Sequence, residues 1–355
     1  MKNGITKYIE TYGDLSFKDK EFTEIDAAIF SMISYINFEE VVSFKKEKIS
    51  IELAAFLIRN RIKNKDIAMR GKFNKDVYQM FDLMAQCNRY KNIQLYGYEY
   101  KTGFSEQFGA ISLILDDGTT VISFEGTDEK LAGWREDAEL AYKFPVVAEE
   151  DAFRYFKRNV GLFTKKVIVL GHSKGGHLAL VTSMYADIVR RNKIVGIYSF
   201  DGPGLMKEQI ESEKYMKIES KYVHIVPNYS VIGLLLRNKK YEVVKSLKFD
   251  VNAHFCFNWV IDDNHFVRTS LSGVSKKLDK SISLWLDSHD PEQRERIVNN
   301  VFNYLQDAGI ENVPDMKKIN TIVSLVKNNK KLDKETKEWL LNFVEFNLQY
   351  MMKKE

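Results

Sequence analysis

The sequence has few cysteines and few prolines. Its two cysteines, Cys87 and Cys256, form no CxxC pair and indicate no disulfide framework. A reducing, cytoplasmic location is therefore expected. The five prolines mark no linker between domains.

Long apolar runs are also missing. The longest, VIGLLL at 231–236, is far shorter than the roughly 20 residues that a membrane-spanning helix needs. The opening residues, MKNGITKYIETYGDLSF, place polar and acidic side chains where a signal peptide has its apolar core. We expect a soluble protein in which segment 231–236 either packs in the core or makes transient contact with a membrane surface.

Charge of one sign does not dominate. Lys and Arg total 53 against 49 for Asp and Glu, a net charge of +4, and the charges are interspersed along the chain. A dedicated nucleic-acid binder would have a basic stripe or a much larger excess, so a nucleic-acid partner is excluded. With 355 residues and 45% hydrophobic content, the chain can bury a sizeable core.

Hydrophobic periodicity divides the chain into three parts. The first ninety residues have helical spacing, as in TEIDAAIFSMISYI, and residues 93–126 read as strands, with Asp116-Asp117-Gly118 as a hairpin turn. Short buried strands then alternate with helices such as HLALVTSMYADIV and KEQIESEKYMKI, which predicts a mostly parallel, doubly wound α/β sheet. Residues 269–355 are expected to form a helical appendix, including DPEQRERIVNNVFNYLQDAG and DKETKEWLLNFVEFNLQYMMKK. In the first of these, Asp290 can cap the helix, Pro291 takes the first helical position and Gly309 follows the end. We expect one domain at 1–268 and a helical region at 269–355.

The segment KVIVLGHSKGGHLALV carries the strongest chemical signal. A buried strand, VIVL, meets the pattern G-x-S-x-G around Ser173, and helical spacing follows, which is the setting of a nucleophile elbow. Side chains at Gly171 or Gly175 would collide across so sharp a turn. A glycine turn that only joins strand to helix is the alternative. A P-loop is disfavoured because His177, not Lys-Ser or Lys-Thr, follows Gly176, and Lys174 should point away from its neighbour Ser173.

Several segments in a fixed order resemble a bacterial lipase-like branch of the class-three lipase superfamily. They are YGDLSFKDKEFTEIDAAIFSMISYINF, SFEGTDEKLAGWREDAEL, the elbow, HIVPNYSVIGLLL and YEVVKS, and the likeness covers roughly residues 8–268. The resemblance implies an α/β-hydrolase fold and a serine hydrolase, but it supplies no substrate.

A serine nucleophile needs a histidine and an acid, in the chain order Ser, acid, His. His254 follows the strand YEVVKSLKF, and NAHFCFNWV resembles the histidine-bearing segment of that branch; His265 is the second candidate. His172 and His177 are expected to be packing residues, and His224 lies within a strand. Class-three lipases generally carry the acid near the IVP strand, yet no Asp or Glu occurs between Ser220 and Tyr241. Asp201, at the end of GIYSFDGPG, is the preferred acid, with Asp250 and Asp262 as alternatives.

The oxyanion hole requires backbone donors near Ser173. The Lys174 amide follows the nucleophile, and Thr127 in SFEGTDE offers an amide and a hydroxyl, which Asp137 could orient. The sequence thus predicts a hydrolase of carboxylic, lipid-like or acyl esters that acts through an acyl-enzyme and needs no metal or organic cofactor. The alternatives are a thioesterase or acyltransferase on the same site, and a non-catalytic binding protein that kept the fold.

Overall fold

The computed structural model describes residues 4–63, 74–103, 107–127, 131–249, 251–307, 309 and 336–337. The candidate acid Asp250 and almost all of the helix predicted at 333–354 lie outside these ranges.

A single eight-stranded sheet forms the centre of the molecule, and its strands lie side by side in chain order. Strands β1 to β4 are antiparallel to their neighbours, whereas β4 to β8 are parallel. A separate hairpin, β9–β10, follows. The strands are β1 Ile49–Ser50, β2 Gln94–Thr102, β3 Gln107–Ile114, β4 Thr120–Phe124, β5 Val167–His172, β6 Ile194–Phe200, β7 Tyr222–Pro227, β8 Glu242–Val244, β9 Ile261–Asp262 and β10 His265–Phe266.

Twelve α-helices lie within the described residues: α1 Gly4–Tyr12, α2 Glu24–Ile33, α3 Ile51–Lys63, α4 Asn74–Met84, α5 Leu131–Glu139, α6 Val147–Asn159, α7 Lys174–Tyr185, α8 Ile188–Arg191, α9 Lys207–Ile210, α10 Glu213–Met216, α11 Gly273–Ser288 and α12 Pro291–Asp307.

Alternation along the buried strands places a helical layer on each face of the sheet. Ile168 and Leu170 of β5 join the core formed with α1 to α4, while Val167 and Val169 join the core formed with α6 and α7. Both faces of β5 are therefore apolar, as expected of a buried parallel strand. The predicted α/β architecture, with N-terminal helices and a mostly parallel sheet, is confirmed.

A buried ion pair joins α2 to the segment after α4 within the N-terminal layer. Arg89 and Asp26 are fully buried and lie 2.7 Å apart. The remaining guanidinium donors bond to backbone carbonyls of the segment between α1 and α2, including Lys20 O at 2.8 Å. Helix α2 also packs on β4, β5 and β6, and the Ser123 hydroxyl of β4 donates to Phe30 O of α2 at 2.9 Å.

Two predicted helices are shorter than expected. The helix through HLALVTSMYADIV stops at Tyr185, because Ala186 is extended (ψ 141°) and Asp187 caps the new helix α8 at the Arg190 N–H. KEQIESEKYMKI is likewise split into α9 and α10, since Ser212 caps the Tyr215 N–H. Both interruptions come from an N-cap residue inside an otherwise helical pattern.

Local signals define the two ends of α12. Asp290 and Gln293 cap α12 reciprocally. Pro291 begins the helix, and Gly309, with a φ of 74°, follows its end, as the sequence predicts.

In the apolar segment 231–236, Leu234 and Leu236 are buried. No helix within the described ranges has the length and apolarity to span a membrane.

Candidate active site

Ser173 lies in a strained turn between β5 and α7. Its φ of 59° and ψ of −134° are unusual for a residue with a side chain. A Cβ on Gly171 would lie 2.2 Å from the Gly175 backbone, and one on Gly175 would lie 2.1 Å from Phe124 O. The two glycines are therefore sterically required for this turn, as the sequence predicts.

Asp201 follows β6, the strand next to β5, so it lies beside the elbow. The Ser173 N–H donates to Phe200 O at 2.9 Å, and the Asp201 N–H donates to Ile225 O at 2.8 Å. Asp201 is fully buried and has a φ of 50°. Its Oδ2 lies 2.6 Å from Nδ1 of His254.

The Asp201–His254 contact fixes the tautomer of the imidazole. Because a carboxylate accepts, Nδ1–H of His254 is the donor, and the neutral ring keeps its lone pair on Nε2. The His254 side chain is only 16% exposed. Such a histidine is suited to take a proton from a neighbouring hydroxyl.

Two residues that the sequence analysis missed complete the environment of Asp201. The Ser230 hydroxyl and the Gly233 N–H (3.1 Å) both donate to Asp201 Oδ1. These donors stabilise the buried charge of the carboxylate. Both lie in the segment after the IVP strand, which contains no Asp or Glu. Its contribution to the site is hydrogen-bond donors rather than a carboxylate.

His172 connects the elbow to the His254 loop. Its Nε2 donates to His254 O at 2.9 Å, so its Nδ1 accepts from the Tyr35 hydroxyl at 2.8 Å. The two histidine rings are 4.3 Å apart. Burial, and secondarily the charge of His254, lowers the pKa of His172 well below its usual value, so this ring stays neutral. The expectation of a packing residue was thus incomplete, because His172 also holds the His254 backbone.

The other histidines lie elsewhere in the fold, although His224 is close enough to Asp201 for the carboxylate charge to oppose the lowering of its pKa by burial. His177 is buried behind the elbow, where Nδ1 donates to Gly204 O at 2.8 Å and Nε2 lies 3.0 Å from Glu149. His224 is buried in β7. His265 is exposed and pairs with the alternative acid Asp262 in the β9–β10 hairpin. His289 Nδ1 donates to Trp285 O at 2.8 Å.

Thr127 and Asp137 form a second hydrogen-bonded pair. The Thr127 hydroxyl donates to Asp137 Oδ2 at 2.6 Å, while the other carboxylate oxygen of Asp137 is buried without a hydrogen-bond partner. Burial raises the pKa of Asp137 to about 6, against the opposing effects of the Lys174 charge and the Thr127 hydrogen bond. The Lys174 side chain points away from Ser173, as predicted, and donates to Gln107 O and Glu136, both at 2.8 Å.

The structure therefore brings Ser173, Asp201 and His254 to neighbouring strand ends and the loop beside them. Ser173 is only 7% exposed. Within the described residues, no group of three or more His, Cys, Asp or Glu side chains could hold a metal ion.

The chain resembles a family profile and a solved structure. A sequence profile of the Mbeg1-like family matches residues 84–303. The chain is similar to the solved structure titled "Crystal structure of M37 lipase", with 15% sequence identity, a TM-score of 0.38, and coverage of 74% of this chain and 80% of that one. No curated protein matches the sequence.

Proposed function

Because the chain belongs to the Mbeg1-like family of lipase-like α/β hydrolases, we propose that it is a serine hydrolase that cleaves carboxylic esters. Ser173 is the nucleophile, His254 the general base and Asp201 the acid of the triad. The single observation that carries this proposal is the 2.6 Å contact between Asp201 and His254 beside a serine with positive φ.

The proposed reaction proceeds in two steps. His254 Nε2 takes the Ser173 proton as Oγ attacks the ester carbonyl, and the imidazolium then returns this proton to the leaving alcohol. Water repeats the sequence on the acyl-enzyme, which releases the carboxylic acid and frees Ser173. The amides of Thr127 and Lys174 hold the oxyanion, and losing one such donor costs about 3 kcal/mol in the barrier.

Lipid-like or acyl esters are the proposed substrate class, and no metal or cofactor takes part. A panel of p-nitrophenyl esters of increasing acyl length tests this. We expect wild-type protein to hydrolyse at least one member, and Ser173→Ala to lose the activity. Ser183→Ala is the matched control, because the Ser183 hydroxyl donates only within its own helix, to Ala179 O.

Wild-type protein that is folded and inactive on the whole panel would contradict the esterase proposal. Hydrolysis of acyl thioesters alone would place the same site in the thioesterase class.

A further inference from the structure

Three segments meet at the end of the sheet opposite Ser173. Parallel strands β4, β5 and β6 begin there, since Thr120 pairs with Val167 and Val167 with Ile194. The segments are 43–48 (SFKKEK), 161–166 (GLFTKK) and 187–193 (DIVRRNK). We call them together the basal face. At about 3.3 Å per residue, β5 separates this face from Ser173 by roughly 20 Å.

The basal face exposes large apolar side chains. Phe163 is 97% exposed, Leu162 83% and Phe44 54%. Ile188 and Val189 on α8 are also exposed. Single exposed apolar residues are common, but several at one end of a molecule mark an interaction surface.

Hydrogen bonds hold these segments against one another. Lys193 Nζ donates to Gly161 O at 2.8 Å and to Leu162 O at 2.9 Å, and Arg190 Nε donates to Val160 O. The tip that carries Leu162 and Phe163 is thereby fixed to the α8 segment. The two side chains are held out from the surface rather than free to fold back.

Segment 43–48 is anchored to the same place. The Gly97 N–H donates to Ser43 O and Lys45 O at 2.9 and 3.1 Å. The Arg158 guanidinium lies 4.1 Å from the centre of the Phe44 ring, and Lys46 Nζ would lie 3.7 Å from a Cβ on Gly161. Phe44 and its lysines therefore extend the surface of the Leu162–Phe163 tip.

Charge is concentrated on the basal face. The three segments contain eight Lys or Arg and two acidic residues, Glu47 and Asp187. The β3–β4 hairpin at the same end of the sheet adds the exposed Asp116 and Asp117, so this end carries an excess of four positive charges. That excess equals the net charge of the whole chain, +4. Lys45, Lys46, Lys165 and Lys166 are all exposed.

We propose that the basal face docks on an anionic lipid bilayer. Protruding apolar side chains insert among acyl chains while the surrounding lysines and arginines contact anionic headgroups, a combination typical of peripheral membrane proteins. The charge excess favours this partner over an apolar protein surface. Docked in this way, the protein holds Ser173 on the side away from the bilayer.

Sedimentation with vesicles tests the proposal without reference to catalysis. Wild-type protein is mixed with phosphatidylcholine vesicles with or without 30% phosphatidylglycerol, at low and high salt. We expect binding to the anionic vesicles, little binding to pure phosphatidylcholine, and release at high salt, because salt screens the headgroup charges.

Matched variants assign the binding to this face. Leu162→Ser with Phe163→Ser, and separately Lys165→Glu with Lys166→Glu, should each lower the vesicle partition coefficient on the order of tenfold. The controls are Lys276→Glu with Lys277→Glu, exposed neighbours on α11, and Leu284→Ser on the same helix. Circular dichroism checks that each variant is folded.

No binding of wild-type protein to anionic vesicles at low salt overturns the proposal, even if the face then proves to bind a protein. Equal losses in the α11 controls and the basal-face variants also overturn it.

Discussion

The carboxyl group of Asp137 accepts a hydrogen bond from Thr127 on one oxygen, and its other oxygen is buried. Its pKa is raised from 3.8 to about 6, mainly by burial. The folded protein therefore binds this proton more tightly than the unfolded chain does, and the group destabilises the fold as pH rises from about 4 to about 6. Above that window the full penalty is present, and below it the penalty disappears.

Asp137→Asn should remove this penalty. Two pKa units correspond to about 2.7 kcal/mol, so we expect the variant to raise the free energy of unfolding by about 2 kcal/mol at pH 8. The gain should shrink to below about 0.5 kcal/mol near pH 3, where Asp137 is mostly protonated in both states. Urea unfolding at several pH values measures it. A gain that does not change with pH, or an equal gain in the exposed control Asp116→Asn, would contradict this account.

The residues of the site differ in how visible they are in the sequence. Ser173 is visible because its turn needs Gly171 and Gly175. His254 is indicated by chain order and by the resemblance of its segment to the lipase-like branch, and Asp201 by its place at a strand end when the usual acid position is empty. Ser230 and Tyr35 are not visible, because a hydroxyl that donates to a buried group has no spacing rule. Their positions depend on how the segments after β7 and α2 meet the elbow. The catalytic roles of Ser173, Asp201 and His254 stay predictions.

Contacts between elements hold the His254 loop in place. This loop follows β8 and joins the elbow at the end of β5 through His172, and Tyr35 after α2 holds the other nitrogen of that ring. We infer that His172 is a positioning residue, since it bonds to the backbone of His254 rather than to a reacting atom.

His172→Ala should lower kcat about fivefold to thirtyfold with little change in KM, because one hydrogen bond worth about 1–2 kcal/mol no longer orients His254. His172→Gln keeps an amide donor and should recover part of the rate. The loss should be constant across neutral pH, since the lowered pKa of His172 keeps the ring neutral there. Steady-state kinetics from pH 6 to 9 measure this. Full activity in the alanine variant, or no recovery with glutamine, would show that His172 does not position His254.

Element boundaries were predicted well where a local signal is strong. Asp290, Pro291 and Gly309 mark the ends of α12 correctly, because capping needs only nearby residues. The ends of α7 and α9 were placed wrongly, because Asp187 and Ser212 are compatible with a helix until their side chains cap the next one. The layer made by α1 to α4 could not be predicted from periodicity, which shows an apolar face but not its partner.

At the scale of the whole molecule, the C-terminal helices share a core with the sheet domain. Leu286 of α11 packs in a cluster with Leu140, Ala141, Val146 and Leu236. Arg135 of α5 donates to Asn299 of α12 at 2.8 Å. We propose that residues 273–307 unfold together with the sheet domain. The predicted boundary at residue 268 would then not separate two units that unfold independently.

Leu286→Ala should therefore destabilise the entire protein by about 2 kcal/mol, the lower range for a leucine truncated in a core. Leu284→Ala, 59% exposed on the same helix, should change stability by less than about 0.5 kcal/mol. Denaturant unfolding followed by fluorescence and circular dichroism measures both. An early separate transition that Leu286→Ala alone shifts would indicate an independent helical unit.

The central claim is that Ser173 is a nucleophile activated by His254 and Asp201. Intact-mass measurement after reaction with a fluorophosphonate tests it most directly, because the reagent forms a stable adduct only with an activated serine. We expect one adduct per chain on Ser173 in wild-type protein and in Ser183→Ala, and none in Ser173→Ala. In Asp201→Asn, labelling should slow by up to about 10⁴-fold. Folded wild-type protein that stays unlabelled, or Ser173→Ala that is labelled as fast as wild type, would contradict the claim.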